Sequence, residues 1–205
     1  MSKYRRKDHY YRKAKGEGYL SRAAYKLIQV NSKAKIIKRG DVLVDVGCSP
    51  GGWSQVALEA VGAKGKVIGI DILDDCAIRS DNFQFLNRDV MDDGCAEYVL
   101  KLAGGKVDAV ISDAAPNTTG VKFTDHARSV DLVAGVLEFA AKVLRRGGNF
   151  LVKVFDGPDT GELLREMKKL FESASRLRPG ATRKESFEIY LIGKGFRPGG
   201  REEVN

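Results

Sequence analysis

Four charged side chains occupy settings where charge is out of place. Lys153 lies inside Phe150-Leu151-Val152-Lys153-Val154-Phe155, an otherwise apolar run. A lysine is rarely buried unless it is paired or put to use. Asp113 closes the apolar run Val107–Ile111 and opens Asp113-Ala114-Ala115-Pro116-Asn117. Glu188 starts the run in Ser186-Phe187-Glu188-Ile189-Tyr190, and Lys26 sits in Ala23-Ala24-Tyr25-Lys26-Leu27. Two amines and two carboxylates can form a buried ion-pair network or serve proton transfer on a bound molecule. A lone strand lysine can also snorkel outward. These residues by themselves leave the alternatives open.

A second group of residues points to a ligand. Val42-Leu43-Val44-Asp45-Val46 is followed by Gly47-Cys48-Ser49-Pro50-Gly51-Gly52-Trp53, and a helical pattern begins at Ser54-Gln55-Val56-Ala57. This is a strand, a tight turn and a helix start, which lets the backbone approach a nucleotide-like molecule. Asp45, Asp71, Asp89 and Asp113 all fall at or just past the ends of apolar runs. In a parallel sheet that is where ligands sit. A dinucleotide wants G-x-G-x-x-G, and Ser49 stands where the second glycine must be bare. A P-loop is excluded because no Gly-Lys-Ser/Thr follows the turn. S-adenosylmethionine carries no phosphate, so the turn formed by Gly47, Gly51 and Gly52 need only fit its amino-acid and sulfonium part. Asp71 is placed to accept both ribose hydroxyls, and Asp89 to accept from the adenine amino group. The bland alternative is an ordinary turn and two helix N-caps.

The elements that must position these groups alternate. Strands are expected at 42–46, 67–70, 83–86, 107–111, 149–155 and 187–192. Helices are expected at 22–32 (capped by Ser21), 54–61, 95–102, 129–144 (stopped by Gly147-Gly148) and 160–171. Such alternation argues for an α/β fold whose mostly parallel sheet is covered on both faces. The expected organisation is a basic flexible arm at 1–18, one catalytic domain at 19–195 and a frayed tail at 196–205.

The chain has 205 residues and a formal net charge of +8, yet residues 1–39 hold 13 Lys/Arg against 2 Asp/Glu. The positive balance is therefore an N-terminal property, with a smaller basic cluster from Arg176 to Arg201. Such a distribution points to a polyanion, with nucleic acid the expected partner and a solvated tail the alternative. Tyr4, Tyr10 and Tyr11 of the arm could stack on bases. Three separated cysteines (Cys48, Cys76, Cys95) suggest a reducing compartment, and with His9 and His126 they show no metal-ligand spacing, so no metal is expected. No apolar run reaches a bilayer span and no apolar signal region follows the basic N-terminus, so a cytoplasmic protein without membrane contact is expected.

Taken in order, Ser21–Leu27, Asp45–Gln55, Ser112–Asn117, Val152–Phe155 and Glu188–Tyr190 resemble the FtsJ/RrmJ (RlmE-type) family of ribosomal RNA 2′-O-methyltransferases. The resemblance covers most of the chain. It implies a Rossmann-like methyltransferase fold with a seven-stranded sheet and S-adenosylmethionine as methyl donor. It also places the family's Lys-Asp-Lys-Glu tetrad on Lys26, Asp113, Lys153 and Glu188. Glu188 is preferred to Glu185 because it precedes Ile189-Tyr190. Donor contacts are implied for Gly51, Trp53, Asp71, Asp89 and Asp113. Cys48 stands where relatives often carry alanine. The implied substrate is a ribose, a uridine by expectation, in large-subunit ribosomal RNA, and the expected assembly is a monomer. Transfer RNA is the nearest rival substrate, and a non-catalytic RNA-binding protein is a further alternative. Ser49 opposes a nicotinamide dehydrogenase. The absence of an Asn/Asp-Pro-Pro-Tyr-like loop opposes a base-amino methyltransferase.

Lys153 is the residue expected to engage the ribose hydroxyl. Lysine is ordinarily protonated at neutral pH. Burial and a neighbouring Lys26 favour the free amine, while Asp113 and Glu188 favour the ammonium. Lys153 is thus either the base or the group that orients the hydroxyl.

Overall fold

A computed structural model describes residues 9–199. The strands are β1 (Val42–Val46), β2 (Lys66–Asp71), β3 (Phe83–Asn87), β4 (Val107–Ser112), β5 (Leu144–Phe155), β6 (Phe171–Leu177) and β7 (Glu188–Phe196). The helices are α1 (His9–Glu17), α2 (Ala24–Ala34), α3 (Gly52–Val61), α4 (Cys95–Ala103), α5 (Lys122–Val143) and α6 (Thr160–Leu170). All seven strands form one sheet in the order β3-β2-β1-β4-β5-β7-β6. β1 to β5 run parallel, and β7 runs antiparallel to both β5 and β6.

Period-2 alternation splits the buried side chains between two faces. Val44, Val46, Val110, Phe150, Val152 and Val154 face a core completed by α4, α5 and α6. Leu43, Ile111, Leu151, Tyr190 and Ile192 face the other core, built with α2 and α3. By the same alternation Asp45 and Lys153 point toward α2 and α3. The chain reverses its strand order between β1 and β4, which opens a crevice at their carboxyl ends.

Several elements depart from the expectations. α5 begins at Lys122 rather than 129, because its first turns bury polar Asp125, His126 and Ser129 and so carry no apolar period. Gly147-Gly148 do not stop that helix. They lie inside β5, where the pairing with β4 shifts register between Val107 and Ala109. β6, the seventh strand, lies where none was placed: it is an edge strand whose only fully buried residue is Phe171. The expected arm also contains structure, since residues 9–17 form α1 with Ala14 buried. Residues 1–8, with Tyr4, and the end of the expected tail lie outside the described residues. At the other boundary β7 continues to Phe196, one residue beyond the expected 195. Ser21 does not cap α2 with its side chain; Ala23 occupies the N-cap and the helix starts at Ala24.

Candidate active site

The four charged residues converge. β5 and β7 pair so that Lys153 lies opposite Tyr190 and Phe155 opposite Glu188. Directly opposed residues share a face, so Lys153, Tyr190 and Glu188 all project toward α2. There Lys26, 7% exposed, meets Glu188 with Nζ 2.6 Å from Oε1. Asp113, one residue past β4, reaches Lys153, whose Nζ is 3.1 Å from Oδ1. Lys153 also donates to the Asp113 backbone carbonyl. The Tyr190 hydroxyl donates at 2.6 Å to Asp113 Oδ1, the oxygen that also faces Lys153, and the charge of Lys26 acts on the same carboxylate.

Burial alone would raise the Asp113 carboxyl. The charges of Lys153 and Lys26 and the hydrogen bonds from Tyr190 and Lys153 outweigh it and hold the group below the usual carboxylate range. Tyr190 is fully buried, and burial together with the charges of Asp113 and Glu188 pushes its hydroxyl well above ten. It therefore stays a donor. The sequence singled out Glu188 but not Tyr190. The available signal was their spacing of two in a strand, which puts both on one face.

The glycine turn is built for close approach. Gly47 has φ 74°, and a Cβ there would lie 2.6 Å from the Ala114 Cβ, so the turn after β1 touches the turn after β4. Gly51 has φ 121°, and its Cβ would lie 2.7 Å from Ile78 Cγ1. Gly52 opens α3 with the Ser21 hydroxyl against it. Asp71 accepts from the Ser49 amide at 2.8 Å and the Leu73 amide at 2.9 Å, tying the turn to the end of β2. Ile72 and Leu73 beside it are 68% and 60% exposed. Asp89 stands exposed on the β3–α4 connection and accepts from the Met91 amide at 2.9 Å. Trp53 is turned inward: it is 3% exposed, donates to the Ala23 carbonyl at 2.9 Å and stacks on Tyr190 at 5.6 Å.

Asp45 is a further buried charge in β1. Its Oδ2 accepts from Ser54 at 2.7 Å, and among the described residues its Oδ1 has no hydrogen-bond partner. Burial pushes its carboxyl up to about 7; the Ser54 bond opposes this, and the charges of Asp113 and Asp71 add to it. Three mutually repelling carboxylates, one with an orphaned oxygen, suit a ligand that brings positive charge. Ser49, standing where a pyrophosphate needs a bare position, suits one without phosphate, and the exposed Ile72 and Leu73 suit a flat apolar ring. The residues present thus fit S-adenosylmethionine, which carries a sulfonium, an ammonium and a carboxylate, is a net cation, and has an adenine. Among the described residues no cluster of His, Cys, Asp and Glu is arranged to hold a metal, and no helix is long and apolar enough to cross a membrane.

A parallel sheet with an antiparallel β7 inserted between β5 and β6, and a glycine turn facing carboxylates at the strand-order reversal, define the class: an α/β methyltransferase. Residues 19–196 match the FtsJ-like methyltransferase family, and the chain belongs to that family. It is 45% identical over 193 residues to the ribosomal RNA large subunit methyltransferase E of Methanothermobacter thermautotrophicus, covering 94% of this chain and 92% of that one. To the protein of the same name from Azorhizobium caulinodans it is 43% identical over 193 residues, covering 93% and 80%. A ribosomal RNA methyltransferase structure from Plasmodium falciparum superposes with a TM-score of 0.78 at 34% identity, covering 89% of this chain and 100% of that one. A Thermotoga maritima O-methyltransferase at 17% identity and TM-score 0.59 shares the fold. The protein is an RNA methyltransferase by family, and its methyl donor is S-adenosylmethionine.

Proposed function

We propose that the protein methylates the 2′-hydroxyl of a ribose in large-subunit ribosomal RNA, with uridine the expected nucleotide, and acts as a cytoplasmic monomer. The observation that carries this reading is the two buried ion pairs, Lys26–Glu188 and Lys153–Asp113, the second held by Tyr190, beside the glycine turn. Its support for ribosomal RNA as substrate is the 45% identity to a large-subunit methyltransferase.

The donor supplies an electrophilic methyl group. The chain must bring a weakly nucleophilic hydroxyl into line and take its proton. Asp71 and Asp89 would hold the ribose and adenine ends of the donor, and Gly47, Gly51 and Gly52 would let the backbone close on its amino-acid part. Trp53 acts from beneath, through its stack on Tyr190, rather than by lying against the donor.

Lys153 Nζ makes two bonds to Asp113, one to the carboxylate and one to the carbonyl. With Cε they fill three of its four tetrahedral positions. We assign the fourth to the ribose hydroxyl. In its free-amine form Lys153 would take the hydroxyl proton there as the donor's methyl carbon leaves sulfur, which keeps the bonding pair, for the hydroxyl oxygen, and Asp113 would balance the ammonium produced. Lys26 and Glu188 neutralise each other and wall the approach.

The test is single-turnover methylation of large-subunit ribosomal RNA and of bulk transfer RNA with labelled donor, followed by mapping of the modified nucleotide. Label on the ribose of ribosomal RNA, lost in Lys153→Ala while donor binding persists, is the expected result. Label on transfer RNA alone would replace the substrate. A chemistry-limited rate that stays flat from neutral to alkaline pH would remove Lys153 as the base and leave it an orienting role.

A further inference from the structure

The two basic segments that lie far apart in the sequence are fastened to one place. Ala14 of α1, 3% exposed, packs with Tyr25 of α2 and Ala181 of the β6–β7 connection. Gln29 of α2 holds both: its Nε2 donates to the Tyr10 hydroxyl at 3.2 Å, and its Oε1 accepts from the Ala181 amide at 2.8 Å. Arg22 donates to the Ala181 carbonyl at 2.7 Å, and its guanidinium lies 6.0 Å from the Tyr10 ring. Within the connection, Arg178 donates to the carbonyls of Arg183, Lys184 and Ser186, which stiffens it. Tyr10 is thereby committed to packing, against its expected role in stacking on bases. Arg12, Lys15 and Lys184 remain exposed on these supports. The same helix, α2, carries Lys26 into the ion pair with Glu188, and Glu188 itself ends the β6–β7 connection.

We propose that α1 and the 178–186 connection form a single RNA-docking rim, clasped in register by Gln29, which seats one RNA chain so that its target ribose reaches the Lys26–Glu188 side of the site. This rests on the reading of the site as an RNA ribose methyltransferase. The physical basis is preorganisation. Cations on two supports already fixed to one helix meet successive phosphates without ordering a chain first, so less entropy is lost on binding. Charges on an independent arm would engage RNA whether or not Gln29 were present.

The experiment measures binding of the full-length protein to large-subunit ribosomal RNA across a salt series. Variants are Arg12→Gln/Lys15→Gln, Lys184→Gln, Gln29→Ala and the volume-preserving Gln29→Met. Each lost phosphate contact should flatten the slope of log affinity against log salt by about 0.7 on single strands. Both charge variants should therefore lose slope, the double about twice as much as the single. Each Gln29 variant should weaken RNA binding about fivefold to tenfold, the loss expected when hydrogen bonds that place other contacts are removed. Donor affinity should be unchanged in all four.

Wild-type slope and affinity in either charge variant would overturn the common rim. Wild-type RNA affinity in both Gln29 variants would overturn the clasp. Failure of the underlying reading looks different: the wild-type protein would then bind donor but label no ribose on any RNA.

Discussion

Replacing Tyr190 with phenylalanine removes one oxygen and nothing else. The ring keeps its stack on Trp53 at 5.6 Å and its place in a fully buried site. What disappears is the 2.6 Å hydrogen bond to Asp113 Oδ1. A buried hydrogen bond to a charged group contributes about 2 kcal/mol. The melting temperature should fall by about 4–8 °C for a chain of this size. If the bond is fully felt at the transition state, the single-turnover rate falls about 30-fold. Michaelis constants for donor and RNA should hold, because Tyr190 is buried away from both.

The pH dependence has a definite sign. Asp113 is held below the usual range, against burial, by Lys153, Lys26 and the Tyr190 bond. A depressed carboxyl stabilises the fold above its unfolded value, about 3.9, and that contribution is lost as pH falls through the folded value. Tyr190→Phe moves Asp113 upward. The gap in melting temperature between variant and wild type should thus be widest near neutrality and narrow below about pH 4. Thermal melts across pH, paired with single-turnover assays, check both parts. An unchanged melting temperature together with an unchanged rate would refute the reasoning.

Three other perturbations test separate parts of the site. Lys26→Met leaves Glu188 as an unpaired charge whose side chain is 11% exposed, so denaturant unfolding should show a loss of about 3–5 kcal/mol. Lys26→Met combined with Glu188→Met should lose much less. Gly47→Ala forces a left-handed residue at φ 74° with its Cβ 2.6 Å from that of Ala114, so strain of at least about 1–2 kcal/mol and loss of donor binding by calorimetry are expected. Asp45, raised to about 7 by burial, should ionise when a cationic donor binds. Calorimetry in buffers of different ionisation enthalpy should then show release of about half a proton at about pH 7, rising toward one about a unit lower. Asp45→Asn should abolish that release.

Much of this protein was legible in one dimension because its signals are local. The strand–turn–helix at Val42–Trp53 needs only neighbouring residues: an apolar run, glycines free to take positive φ, and a helical period. Lys153 announced itself by being charged among five apolar neighbours. Elements whose burial is polar or one-sided escaped, as the start of α5 and edge strand β6 did, because hydrophobic period is the signal and they lack it.

Partnership was decided only in three dimensions. Nothing in the sequence says that Lys26 pairs with Glu188 and Lys153 with Asp113, or that a tyrosine donates to Asp113. That follows from β7 running antiparallel to β5, which sets Tyr190 against Lys153 and brings Glu188 under α2. Likewise the basic stretches at the two ends could be counted but not joined. Their joining depends on Gln29, whose amide reaches two segments separated by most of the chain. Residue type and local spacing name the groups available for chemistry. The charge state of each, and which neighbour it answers to, come from distances that only strand order and register impose.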